Sequence, residues 1–111
     1  MPREQKRHEG RLRVAVPGEY CFVGKDDWTP CRLNDLSADG MSLDGKTSFY
    51  AGDKLEVRFP LEKRMILVTL EVTHLIGKKA GGRIIKIDDS DRRMIQEVLN
   101  RELMSGKTFL S

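Results

Sequence analysis

The chain has 111 residues, 39% hydrophobic and 33% charged, with a formal net charge of +3. That is the size and composition of one soluble globular domain. The longest apolar runs are as short as Met65 to Val68, so no segment approaches the roughly 20 apolar residues of a membrane helix.

The beginning of the chain is polar and lacks the apolar stretch of a secretory signal. Two cysteines, Cys21 and Cys31, make neither a disulfide framework nor a zinc set. The expected location is therefore the cytoplasm, with both thiols reduced and no membrane insertion. The charge is uneven. Residues 1–13 carry Arg3, Lys6, Arg7, Arg11 and Arg13 against only Glu4 and Glu9, while basic and acidic residues cancel over the rest. A basic arm ahead of a neutral domain suggests an anionic partner such as a phosphate or a nucleotide. Residues 1–10 have Met1 as their one large apolar side chain. An arm of that composition is expected to be mobile until a ligand orders it.

From Leu12 the pattern has period two, the signature of strands. Leu12, Val14 and Val16 alternate with Arg13 and Ala15. Pro17-Gly18 punctuates, and Tyr20-Cys21-Phe22-Val23 resumes. Cys31, Leu33 and Asp35 form the next alternation, and Met41 and Leu43 continue after the turn-forming Asp39-Gly40. Leu55, Val57 and Phe59 follow, with Pro60 expected to end the run. Ile66, Val68, Leu70 and Val72 make another, and Ile84, Ile85 and Ile87 a last one after Gly81-Gly82. Some six short strands separated by turns predict an antiparallel barrel or sandwich. The period then changes. Met94, Ile95, Val98, Leu99 and Leu103 share one face of a helix over about residues 90–105, with Asp89, Ser90 and Asp91 at its start and Gly106 placed to stop it. The expected organisation is a basic arm, residues 1–13, and a single domain over residues 12–108.

Phosphate loops, nucleophile elbows and zinc-protease motifs are absent from the sequence. His74 ends a strand run and reads as a partly exposed edge residue. Both cysteines lie among apolar strand residues and read as core. The chain is not expected to be an enzyme, and no cofactor or metal is expected.

Two motifs carry chemistry. Arg7-x-x-x-Arg11, preceded by Lys6, places two planar guanidinium forks where a turning arm can wrap a compact anion. The same fork pairs with the O6 and N7 edge of guanine. Asp35-x-Ser37-x-x-Gly40 lies between two predicted strands. Its aspartate can accept from two donors at once, as guanine N1 and N2 require, and its serine hydroxyl both donates and accepts. Gly40 permits a positive φ and a close backbone approach. Taken alone, this second motif also describes an ordinary hairpin turn.

The two motifs in this order, with the strands and the terminal helix, resemble the PilZ family, bacterial receptor domains for cyclic di-GMP. The resemblance covers nearly the whole chain. It implies a six-stranded antiparallel β-barrel with a carboxyl-terminal α-helix, which agrees with the periodicity. It implies that Arg7 and Arg11 grip phosphate and guanine, and that Asp35, Ser37 and Gly40 form the second half of the site. Lys6 stands where many members carry arginine; it keeps the charge without the bidentate fork. Lys78-Lys79-Ala80-Gly81-Gly82 departs from the aromatic-glycine approach to the last strands seen in the family. The implied function is a cyclic di-GMP receptor that acts through a downstream protein partner, with two intercalated nucleotides per chain. The competing readings are a small barrel for single-stranded nucleic acid and a purely protein-binding adaptor. Seven aromatics, several in core-like positions, leave few stacking platforms for nucleic acid.

Overall fold

The alternation from Leu12 onward becomes six strands in a computed structural model that describes residues 11–104. They are β1 (Leu12–Phe22), β2 (Thr29–Leu36), β3 (Gly40–Asp44), β4 (Lys54–Leu61), β5 (Arg64–Ile76) and β6 (Lys79–Ile87), followed by helix α1 (Asp89–Met104). All neighbouring strands are antiparallel, and the order β1-β2-β3-β6-β5-β4 closes into a barrel. Closure gives every strand a neighbour on both sides, though the β1–β4 seam that completes it is short. The inward residues of the alternation fill the barrel. Leu33, Met41, Leu43, Leu55, Val57, Phe59, Ile66 and Leu70 are wholly buried.

Three sequence punctuation marks do not break strands. Pro17-Gly18 lies inside β1, and Pro60 lies inside β4. Strands β1 and β4 pair only from Glu19↔Arg58 to Phe22↔Leu55. Both prolines therefore sit where their strand has a ladder on one side only, with β2 or with β5. A missing N–H is tolerated there. Gly81-Gly82 is likewise inside β6, which begins at Lys79. A side chain at Gly82 would place its Cβ 2.1 Å from the Glu71 carbonyl oxygen, so glycine is what lets β6 pack this closely against β5.

Two hairpins close with two-residue turns. Gly77 takes φ +63° in the turn between β5 and β6, and Glu62 takes φ +59° between β4 and β5. Glu62 is held there by an ion pair with Arg101 of α1.

Helix α1 buries Ile95, Val98 and Leu99 against the barrel core. Its polar contacts reach one end of the barrel. Arg64 pairs with Asp91 at 2.8 Å, and Arg92 donates to the Ala38 carbonyl at 2.9 Å and to the Asp39 carboxylate at 3.1 Å. The cap is Asp88, one residue before the predicted group. Its carbonyl accepts from Asp91 N and Arg92 N, and its carboxylate accepts from the Ser90 hydroxyl. The Ser90 hydrogen bonds, chiefly the hydroxyl, hold the Asp88 carboxyl below its ordinary value of 3.8. Because the folded value is the lower one, the cap contributes above the unfolded value, and this contribution fades as pH falls through the folded value. Asp88→Ala should therefore be less stable than the parent at pH 7, and the difference should shrink in acid. Urea unfolding at pH 7 and pH 3 checks this; an equal difference at both pH values would count against the cap. Gly106, the expected stop, lies outside the described residues.

Candidate functional site

The second motif sits at the barrel end covered by α1. Ser37 organises its turn. Its N–H and hydroxyl donate to the Gly40 carbonyl at 2.8 and 3.1 Å, and its Oγ accepts from Asp39 N at 3.2 Å and Gly40 N at 2.9 Å. The Asp39 carbonyl accepts from Ile84 N of β6 at 2.7 Å, and Arg92 holds Ala38 and Asp39 from the helix. The turn is thus fixed from within, from the sheet and from the helix. Ser37 shapes it more than it offers a free hydroxyl. Gly40 does not use the left-handed region; among the described glycines only Gly24, Gly52 and Gly77 have positive φ. Its requirement is the close approach: an added Cβ would stand 2.5 Å from the Gly82 carbonyl oxygen.

Asp35 faces outward near the end of β2, half-buried. Both of its oxygens are engaged. Oδ1 accepts from the Arg11 guanidinium, and Oδ2 accepts from the Ser42 hydroxyl of β3 at 2.8 Å. Arg11 and Asp35, one from each sequence motif and 24 residues apart, therefore meet directly. Lys6 and Arg7, the rest of the first motif, lie outside the described residues, as do residues 1–10 as a whole. Leu12 and Arg13, counted with the arm by charge and with the first strand by periodicity, belong to β1.

Register extends the site beyond the motifs. Arg13 pairs with Asp35, Asp35 with Ser42, Ser42 with Gly81, and Gly81 with His74. These five residues form one row across five adjacent strands. They line an open groove of about 470 Å³, together with Asn34 and Lys79. That volume lies in the range of small-molecule sites, roughly 300–1,000 Å³. The ladder shifts register between Arg13 and Val16, between Leu33 and Asp35, and between Val72 and His74. Such bulges bend strands and redirect side chains, and they concentrate beside functional sites.

His74 is not an edge residue. It lies within β5 of the closed barrel, exposed, with its Nδ1 3.1 Å from the Thr73 hydroxyl. A Cβ at Gly81 would fall 2.1 Å from its Nε2, so the imidazole ring occupies the space that any side chain at 81 would need. Residue spacing held the clue. His74 and Gly81 flank a two-residue hairpin turn at Gly77-Lys78, so a bare glycine faces the ring. That register runs unbroken from the turn, through Ile76↔Lys79 and Leu75↔Ala80, and the bulge at Thr73 lies just beyond it.

The cysteines behave as core thiols. Burial, with Glu56 and other nearby carboxylates, pushes the Cys21 thiol up, and burial plus Glu19 pushes Cys31 up to about 12. Thiols held protonated are poor nucleophiles. Iodoacetamide at pH 8 should leave both unmodified in the native protein while alkylating the urea-unfolded chain; mass spectrometry showing rapid native alkylation would contradict this. Among the described residues, no group of three His, Cys, Asp or Glu side chains could hold a metal ion. No helix among them is long and apolar enough to cross a membrane.

With this geometry, comparison with known proteins identifies the chain's class. The model of the PilZ domain matches residues 5–101, and the chain belongs to the PilZ domain family. Among solved structures it is similar to the Bacillus subtilis inhibitor of motility, MotI/DgrA, with a TM-score of 0.76 and 15% identity. That match covers 86% of this chain and 50% of the other, so the chain spans half the length of that protein. It is similar to the PilZ domain of CeSA from a cellulose-synthesizing bacterium, with a TM-score of 0.64 and 10% identity over 80% of this chain and 93% of that one. It is also similar to the PilZ domain of YcgR from Escherichia coli, solved with c-di-GMP, with a TM-score of 0.63 and 15% identity over 86% of this chain and 92% of that one. No curated protein sequence matches.

Proposed function

We propose that this chain is a cyclic di-GMP receptor that passes the signal to a downstream protein partner. The observation that carries the reading is the meeting of Arg11 with Asp35, which brings one residue of each motif together beside the groove that Asp35 lines. Each half matches one part of the ligand. The guanidiniums of Arg7 and Arg11 suit the phosphates and a guanine face or edge. Asp35, preset by Ser42, suits the guanine N1 and N2 donors. On binding, Arg11 exchanges the Asp35 carboxylate for phosphate and leaves that carboxylate to the base. Lys6 supplies a further cation, which suits two intercalated nucleotides per chain. The ligand then bridges the arm to the Ser37–Gly40 turn and alters the surface offered to a partner. The solved likeness of YcgR with c-di-GMP supports this ligand, and receptor function rather than catalysis is the reading that fits a family of this kind.

Single-stranded nucleic acid fits less well. Tyr20, Phe49 and Phe59 are buried, and Trp28 lies under the Arg58 guanidinium with 3.9 Å between the guanidinium carbon and the ring centre. Tyr50 is 71% exposed, and with the other rings buried or covered, open stacking faces are few among the described residues.

Asp35→Ala tests the reading at the base. The variant should lose its preference for cyclic di-GMP over cyclic di-AMP, because adenine N1 carries no hydrogen for a carboxylate to accept. Competition binding with both nucleotides measures it. An unchanged ratio would remove Asp35 from guanine recognition.

A further inference from the structure

Asn34 sits beside Asp35 in β2, at a position no motif includes. Its amide nitrogen is buried and has no hydrogen-bond partner. A buried donor left unpaired is costly, and folded proteins rarely keep one without a use. The register explains how this residue reaches the site. Leu33 pairs with Leu43 and Asp35 with Ser42, so two steps along β2 match one step along β3. Asn34 is the extra residue of that bulge. In an unbroken strand, Asn34 and Asp35 would face opposite sides of the sheet. At the bulge both line the outer groove, with Ser42, His74 and Gly81 across from them.

We infer that Asn34 is a specificity-determining residue: its amide donates to guanine O6 while Asp35 accepts from the N1 and N2 hydrogens of the same base. This rests on the proposed cyclic di-GMP reading and deepens it. The chemistry is complementary in order. A guanine edge presents an acceptor next to donors, and residues 34 and 35 offer a donor next to an acceptor. Adjacent Cα atoms are about 3.8 Å apart, the scale of a base edge. Adenine replaces O6 by an amino group, which meets the Asn34 donor with another donor. The orphaned amide of the free protein then gains its partner only when guanine enters, so its cost in the empty site becomes selectivity in the filled one.

This account predicts effects of opposite kinds on stability and binding. Asn34→Ala should leave the urea midpoint of the free protein unchanged or raised, because no hydrogen bond is lost. It should weaken cyclic di-GMP binding by about 5- to 10-fold, the effect of one hydrogen bond, and leave cyclic di-AMP binding unchanged or tighter. Asn34→Asp, of nearly the same shape, replaces the donor by an acceptor and should lose more than the alanine variant. The measurement is competition binding of both nucleotides to the full chain and its variants, beside urea unfolding without ligand. An Asn34→Ala variant that keeps the full preference for cyclic di-GMP overturns the inference, as does equal weakening of both nucleotides with a lowered urea midpoint. Failure of the unmodified chain to bind cyclic di-GMP overturns the proposed function, and this inference with it. Binding by the unmodified chain with an indifferent Asn34 overturns the inference alone.

Discussion

Arg7→Ala and Arg11→Ala should each weaken cyclic di-GMP binding by about 10- to 100-fold, from about 1.5–3 kcal/mol for a hydrogen bond to a charged group. For Arg11 the structure separates this effect from folding. Its pair with Asp35 is half-exposed, 47% for the arginine side chain and 26% for the aspartate. Pairs of that exposure contribute about 0–1 kcal/mol to stability. Arg11→Ala should therefore unfold at nearly the parent's urea concentration while binding far more weakly. Arg3→Ala, outside the motif, should do much less. The binding should also weaken as salt rises, since its charge pairs lie near solvent. An Arg3 variant as impaired as Arg11→Ala would show that the arm engages the ligand in another register.

Among the motif substitutions, Gly40→Val should have the largest effect on the fold. The cause is the Gly82 carbonyl oxygen, 2.5 Å from where a Cβ would stand. Both atoms belong to the β3–β6 ladder, where Gly40 pairs with Arg83 and Met41 with Gly82. Relief requires one strand to retreat and ladder bonds to lengthen. Overpacking of this kind costs about 1–3 kcal/mol, and a branched side chain belongs at the upper end. The same retreat would pull the Ser37–Gly40 turn from Arg92 and Ile84, so nucleotide binding should fall with stability. Urea unfolding beside nucleotide binding checks both; a Gly40→Val variant with the parent's midpoint would refute the close-approach role.

The barrel was legible because its interior is written in alternation. Leu55, Val57 and Phe59, and Ile66, Val68 and Leu70, are inward residues in both the pattern and the structure. Strand limits were less legible where glycine and proline stand inside strands. Pro17 and Pro60 are tolerated by the short β1–β4 seam, and Gly82 is demanded by the Glu71 carbonyl; both facts belong to neighbours distant in sequence. The helix was visible in its apolar face, but its cap lies one residue earlier, at Asp88.

At the candidate site, the two motifs singled out Arg11 and Asp35, and these two meet in the structure. Ser42, Asn34 and His74 were not. Ser42 reaches Asp35 through cross-strand pairing, and the other two enter the groove at register shifts. A bulge changes which face a residue presents without changing the residue types on which a pattern depends. Gly40 was recognised for its position, while the reason proved to be interstrand distance rather than a left-handed backbone.

A cyclic di-GMP site at the groove lined by Asp35, beside its contact with Arg11, requires that the chain itself bind the nucleotide. Calorimetric titration of the full chain with cyclic di-GMP, and separately with GTP and a short single-stranded oligonucleotide, tests it most directly. The account predicts a saturable signal with cyclic di-GMP that GTP and the oligonucleotide do not reproduce. A strong signal with the oligonucleotide and none with cyclic di-GMP would contradict it.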